Sequence, residues 1–127
     1  MEGQQKRRVL VVEDEAMVAM LKDMLVDLGF HVISIASNLK EAMARSHAAD
    51  FDVALLDVNL RGEKVFPVAE ALLKLGIPFI FTTGYGHEGV RLDLRHAPIA
   101  VKPFSMPELK EKLRQAMFPD GLSTVKR

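Results

Sequence analysis

Residues 51–62 read FDVALLDVNLRG, an apolar run that stops at a carboxylate, Asp57, and passes straight into loop-forming residues. Val53, Ala54, Leu55 and Leu56 lack the polar alternation of a half-exposed strand. They suit a central parallel strand covered by helices on both faces. In an open α/β sheet, ligands bind just beyond the carboxyl ends of such strands, which is where this reading puts Asp57. Taken alone, the segment is served equally well by a carboxylate that merely caps the following turn. The rest of the chain decides between the two.

Upstream, Val9 to Val12 is a short β-branched run that leaves through Glu13, Asp14 and Glu15, so acids sit at a strand end. Met17, Leu21, Met24 and Leu28, widened by Val18 and Leu25, recur at helical spacing, and Gly29 is a natural stop. His31 to Ala36 predicts a second strand, after which Asn38 can cap a helix carrying Leu39, Ala42, Met43 and Ser46 on one side. Beyond Asp57, Asn59 to Glu63 is expected as a loop. Pro67 is tolerable only near the start of a helix running through Leu72, Leu73 and Leu75 to Gly76.

The fourth strand is expected at Ile77 to Thr82, followed by Thr83 and Gly84. Between Tyr85 and Ala97 the apolar spacing is mixed, which predicts a short, mobile helix. Ile99 to Val101 is the fifth strand, closed by Lys102, Pro103 and Phe104. Ser105 with Glu108 has capping-box spacing, and Leu109, Leu113 and Met117 line the core face of the last helix. Five strands alternating with five helices predict a parallel sheet with right-handed crossovers and helices on both faces.

A chain of 127 residues is expected to form one domain, with its core at about 8–118 and a frayed tail at 119–127. Lysine plus arginine total 17 and aspartate plus glutamate total 17, so no global field draws the protein to nucleic acid or to anionic lipid. Partners are expected through a local surface. The absence of cysteine excludes disulfides and thiolate metal sites. The opening MEGQQKRR is polar, so neither a signal peptide nor a membrane span is expected and the cytoplasm is the default. Only FPDGLSTVKR follows the last helix, so no DNA-binding output is expected.

In this architecture Glu13, Asp14, Asp57, Thr83 and Lys102 gather at one edge of the sheet. Neighbouring carboxylates repel one another, and a hard divalent cation with oxygen ligands relieves that repulsion; magnesium keeps waters and a phosphate oxygen beside one or two carboxylates. In that chemistry Asp57 is a nucleophile, Lys102 and the metal neutralise a transferring phosphoryl group, and Thr83 offers its hydroxyl to the product. Other motifs read more plainly. Gly84, Gly86 and Gly89 spell G-x-G-x-x-G, but after the fourth strand rather than the first, so a flexible loop is the better reading than a dinucleotide site. The four histidines share no ligand spacing.

Four stretches in this order, VVEDE at 11–15, LLDVNLRG at 55–62, FTTG at 81–84 and VKPF at 101–104, resemble the receiver domain of bacterial two-component response regulators. The resemblance covers residues 8 to about 118 and implies a flavodoxin-like (βα)5 fold with strand order 2-1-3-4-5. It implies that Asp57 is the phosphoacceptor, that Glu13, Asp14, Asp57 and the backbone carbonyl of Asn59 hold magnesium, and that the bond from Lys102 to Pro103 is cis. Thr83 becomes the switch hydroxyl and Lys102 the family's lysine. The partners it implies are a sensor histidine kinase or histidine phosphotransferase and an unknown downstream protein. PFIFTTGYG at 78–86 is also similar to the stand-alone receivers nicknamed FAT GUY, with Thr82 where that motif has alanine. One position departs from the family, which usually has an aromatic residue where this chain has Ile99; Tyr85, the only tyrosine, is the candidate to compensate.

An enzyme reading, a small aspartyl-phosphate phosphatase, shares the aspartate nucleophile and the magnesium. Those enzymes resemble D-x-D, and here the residue two positions after Asp57 is Asn59. The expectation is therefore a switch that catalyses only its own phosphorylation and dephosphorylation.

Overall fold

The computed structural model describes residues 6–48 and 50–119. Residues 1–5, and residues 120–127 of the tail expected at 119–127, lie outside the described residues. The elements are β1 (Arg8–Val12), α1 (Glu15–Asp27), β2 (His31–Ala36), α2 (Leu39–Ser46), β3 (Val53–Asp57), β4 (Asn59–Leu60), β5 (Glu63–Lys64), α3 (Phe66–Leu75), β6 (Phe79–Thr83), β7 (Ile99–Val101) and α4 (Met106–Met117). Five of the strands form one parallel sheet in the order β2-β1-β3-β6-β7, the 2-1-3-4-5 order expected.

The period-2 alternation of the buried strands splits the core into two layers. Leu10, Val12, Ala54, Leu56, Phe79 and Phe81 pack with Ala42 of α2 and with Val68, Ala69 and Leu72 of α3. Val9, Val11, Val53, Leu55 and Ile80 face the other way, onto Leu21 and Leu25 of α1 and Leu109 and Leu113 of α4. All five residues of β3 are buried, as a strand covered on both faces requires.

Helix ends follow their local chemistry. Asn38 Oδ1 accepts the Glu41 N–H at 2.8 Å, and Ser105 and Glu108 form the reciprocal capping box. Pro67 sits in the first turn of α3, and Gly76 ends that helix in the left-handed region at φ 72°.

Three local expectations are corrected. The helix expected between Tyr85 and Ala97 is instead two 3-10 turns, Gly86–Gly89 and Leu92–Leu94. Gly86 has φ 72°, which interrupts any α-helix, and Val90, Leu94 and Ala97 are buried while Leu92 is 77% exposed, too sparse an apolar stripe to stabilise one. The loop expected at Asn59 to Glu63 is a small antiparallel hairpin, β4 with β5, drawn in by the complete burial of Leu60. The fourth strand of the sheet starts at Phe79 rather than Ile77 and runs through Thr83, which pairs with Val101.

Outside the sheet bonds, Asp52 ties the start of β1 to the start of β3. The Arg8 N–H donates to Asp52 Oδ2 at 2.7 Å and the guanidinium stands 3.3 Å from Oδ1. The side-chain and then the backbone hydrogen bonds from Arg8 hold the Asp52 carboxyl below its ordinary value of 3.8. Because the folded pKa is depressed, the stabilisation is complete above the ordinary value and is lost as pH falls through the lowered one. Asp52→Asn is expected to cost about 0.5–1 kcal/mol at neutral pH, as befits a partly exposed pair. It should also flatten the fall in urea-unfolding free energy below about pH 4; an acid limb identical to wild type would contradict this.

Candidate functional site

The site lies where four parallel strands, β1, β3, β6 and β7, end side by side. Residues Glu13 and Asp14 follow the last residue of β1, and the Glu13 N–H continues the pairing to β2 by donating to the Ala36 carbonyl at 3.0 Å. Asp57 is the last residue of β3 and lies in register with Thr82 of β6. Lys102 follows β7, and its N–H donates to the Thr83 carbonyl at 2.7 Å. The Lys102–Pro103 peptide is cis.

The side chains converge. Carboxylate oxygens of Glu13, Asp14 and Asp57 lie within 4.8 Å of one another. Glu13 is fully buried and Asp57 is 6% exposed, so two of the three carboxyl groups are largely out of water. Lys102 answers both: Nζ donates to Glu13 Oε1 at 3.3 Å and stands 3.0 Å from Oε2 and 3.5 Å from Asp57 Oδ2. The approach to Oε2 has ion-pair distance without hydrogen-bond alignment, which leaves that buried oxygen without a donor. Burial, and next the hydrogen bond and charge of Asp57, raise the Glu13 carboxyl to about 8, against the opposing pull of Lys102. Burial pulls the Lys102 ammonium down, but the bond and charge of Glu13 and the charge of Asp57 outweigh it and its pKa is raised.

This arrangement fits a hard divalent cation. Three carboxylates supply oxygen ligands, the donorless Oε2 of Glu13 is a buried acceptor in need of a positive charge, and magnesium prefers oxygen donors. Asp14 has a second task, that of the helix-entry acid its place just before α1 allows. Its Oδ1 accepts the N–H groups of Ala16 at 2.9 Å and Met17 at 3.3 Å, capping α1.

The remaining predicted residues are distributed around this centre. Asn59 donates its N–H to Asp57 Oδ1 at 3.4 Å and accepts the Gly62 N–H on its side-chain oxygen at 3.0 Å. Thr83 is buried at the same sheet edge, where its hydroxyl accepts the Tyr85 N–H at 3.0 Å. The Tyr85 residue itself is 74% exposed, whereas Ile99 is buried among the apolar residues of the α2–α3 side. Gly89 approaches closely enough that a Cβ there would lie 3.2 Å from Thr83 Oγ1. Two features escaped sequence reading: the fully buried Thr82 hydroxyl has no hydrogen-bond partner, and Arg61 reaches Glu15 at 3.5 Å beside the acid cluster. Among the described residues, no helix is long and apolar enough to cross a membrane.

Comparison with known proteins converges on one family. A family model described as the response regulator receiver domain matches residues 9–114, which include all of these groups. The transcriptional regulatory protein ResD of Bacillus subtilis (strain 168) is 32% identical over 124 residues, 91% of this chain and 52% of its own length. The chain spans about half the length of the curated relatives it matches. The solution structure of SdrG from Sphingomonas melonis Fr1 is similar at TM-score 0.80 and 38% identity, covering 91% of this chain and 99% of that one. A solution structure of the BeF3-activated conformation of SdrG, from Pseudomonas melonis Fr1, has a TM-score of 0.74 and 38% identity over 87% of this chain and 95% of that one.

Proposed function

The chain belongs to the response regulator receiver family, and from that premise we propose that residues 8 to about 118 act as one phospho-accepting switch in a two-component phosphorelay. The observation that carries this reading is the Lys102 ammonium, held 3.5 Å from Asp57 Oδ2 at the rim of a three-carboxylate cluster. Asp57 is the acceptor: one of its oxygens forms the new bond to phosphorus as the bond to the donor histidine nitrogen breaks, and that nitrogen leaves with the electron pair. Lys102 stands where it can neutralise charge on the transferring group. Glu13, Asp14, Asp57 and the Asn59 carbonyl would hold magnesium, which when bound supplies charge neutralisation for the phosphoryl oxygens. The donor is a sensor histidine kinase or histidine phosphotransferase. Similarity of PFIFTTGYG to the FAT GUY motif, and 38% identity to SdrG across 99% of that chain, support a stand-alone receiver that signals in the cytoplasm by protein–protein contact.

The test is a phosphotransfer profile. The protein is mixed in magnesium with each phosphorylated histidine kinase or phosphotransferase from its source, and transfer to an acid-stable, base-labile acyl phosphate is followed over time. Rapid transfer from at least one donor is expected, and no transfer from any of them would overturn the reading.

The switch follows from the same edge. A phosphoryl group on Asp57 would draw in the Thr83 hydroxyl, which in the resting arrangement accepts the Tyr85 N–H. Movement of Thr83 therefore passes into the backbone of Tyr85 and the glycine-rich turn after it, and Tyr85 becomes the surface reporter in the place of the aromatic residue missing at Ile99. Tyr85→Ala is expected to leave Asp57 labelling within about twofold of wild type while weakening phosphorylation-dependent partner binding about tenfold, the scale of an aromatic interface contact. Ile99→Ala should change this coupling less. Amide exchange at residues 83–97 should slow when beryllofluoride binds with magnesium; unaltered exchange there, with a response in α1 instead, would contradict the assignment.

A further inference from the structure

The hairpin beyond Asp57 turns through Arg61 and Gly62, both at positive φ, 51° and 88°. A two-residue turn with both central residues left-handed is filled mainly by asparagine, aspartate and glycine. Gly62 adopts that conformation freely, whereas Arg61 does so against its own Cβ; it is the one non-glycine residue at positive φ among the described residues. The hairpin leaves it no alternative. Val58, Leu60 and Val65 are buried, the Val65 N–H donates to the Val58 carbonyl at 2.9 Å, and the Gly62 N–H is held by Asn59 Oδ1 at 3.0 Å. A side chain carried on a strained, well-anchored turn four residues after a reactive carboxylate points to a use for that side chain.

Its direction is also given. Arg61 Nη2 lies 3.5 Å from Oε1 of Glu15, the residue directly after Asp14, so the guanidinium bridges the hairpin that follows Asp57 and the first residue of α1, two segments that each adjoin a carboxylate of the acid cluster. The two side chains are 58% and 78% exposed, and an ion pair so open is easily exchanged for another anion. An incoming phosphodonor is such an anion. It has to approach Glu13, Asp14 and Asp57, and a guanidinium bridging those segments offers it planar, charge-assisted hydrogen bonds.

We propose that Arg61 is a phosphodonor-binding residue: its guanidinium leaves Glu15 and binds the donor's phosphoryl oxygens as they enter the site. The proposal rests on the reading of Asp57 as acceptor. Glu15 is then the resting partner that holds the arm and competes with the donor.

The test uses the full chain with phosphoramidate as a small anionic donor, following labelling of Asp57 against donor concentration at several ionic strengths, with magnesium affinity measured in parallel. Arg61→Gly deletes the arm and relaxes the backbone, so the fold is kept. Its second-order rate constant is expected to fall about tenfold, the loss of one charge-assisted contact, with a shallower salt dependence and unchanged magnesium affinity. Arg61→Lys should fall between the two, and Glu15→Gln should raise the rate about twofold by freeing the arm. An Arg61→Gly variant labelled at the wild-type rate with the wild-type salt dependence would overturn the proposal, as would a rate loss explained wholly by weaker magnesium binding. Wild-type protein that is not labelled at Asp57 at all would overturn the acceptor reading and this proposal with it, a result distinct from both.

Discussion

Asp57→Asn is expected to reduce labelling by any phosphodonor in magnesium by more than about a thousandfold, the scale of removing a nucleophile. Asparagine has the size and shape of aspartate, and its side-chain oxygen can still accept the Asn59 N–H that now donates to Asp57 Oδ1. The variant therefore retains the strand end and loses only the charge and the nucleophilic oxygen. Asp57 is also one of the groups that hold the Glu13 carboxyl above its ordinary value. Removing that neighbouring charge relieves repulsion, so the metal-free variant should unfold at the same or a higher urea concentration than wild type. Intact-mass spectrometry reads the first outcome and urea titration the second. Undiminished labelling would sink the assignment of Asp57, and a strongly destabilised variant would sink the account of the repulsive cluster.

The second large effect concerns Asp14. As one of three carboxylates in the cluster, it should contribute to magnesium affinity roughly tenfold to a hundredfold, whichever neutral residue replaces it. The two obvious replacements part company in the metal-free protein. Asp14→Asn keeps an oxygen for the N–H groups of Ala16 and Met17, so α1 stays capped while a charge beside Glu13 and Asp57 is lost; stability should hold or rise. Asp14→Ala also deletes the cap, at a cost of about 1 kcal/mol that offsets the relief. Calorimetric magnesium titration and urea unfolding of both variants separate ligand from cap. A magnesium isotherm for Asp14→Asn that overlays the wild type would remove Asp14 from the metal site.

Much of this was legible in the sequence because it is written in long-range period. The unbroken run Val53–Leu56 reads as a doubly covered strand, and Leu21 and Leu25 are the buried centre of the stripe that announces α1. Once the sheet order is known, Glu13, Asp14, Asp57 and Lys102 follow as strand-end residues without further information. What was not legible is set by short segments and by single contacts. The β4–β5 hairpin has two residues per strand, too few for any alternation to register, and depends on the burial of Leu60 alone. The segment after Thr83 has Val90, Leu92 and Leu94 at spacing that fits neither period, and in the fold only two of them are covered. Besides those buried side chains, the segment is held by Arg91, which pairs with Glu70 of α3 at 2.7 Å and lies over the Phe66 ring, a tertiary contact with no local signature. The reach of Arg61 to Glu15 is likewise a product of geometry. Both residue types are ordinary until the chain is folded.

The central claim is that Asp57 carries the phosphoryl group, and chemical trapping tests it most directly. Borohydride reduces an aspartyl phosphate to homoserine, so protein phosphorylated in magnesium, reduced and digested should yield homoserine at position 57 in the peptide containing residues 51–62, with none there without the phosphodonor. Homoserine at another aspartate, or label that survives at one of the histidines with residue 57 unmodified, would contradict it.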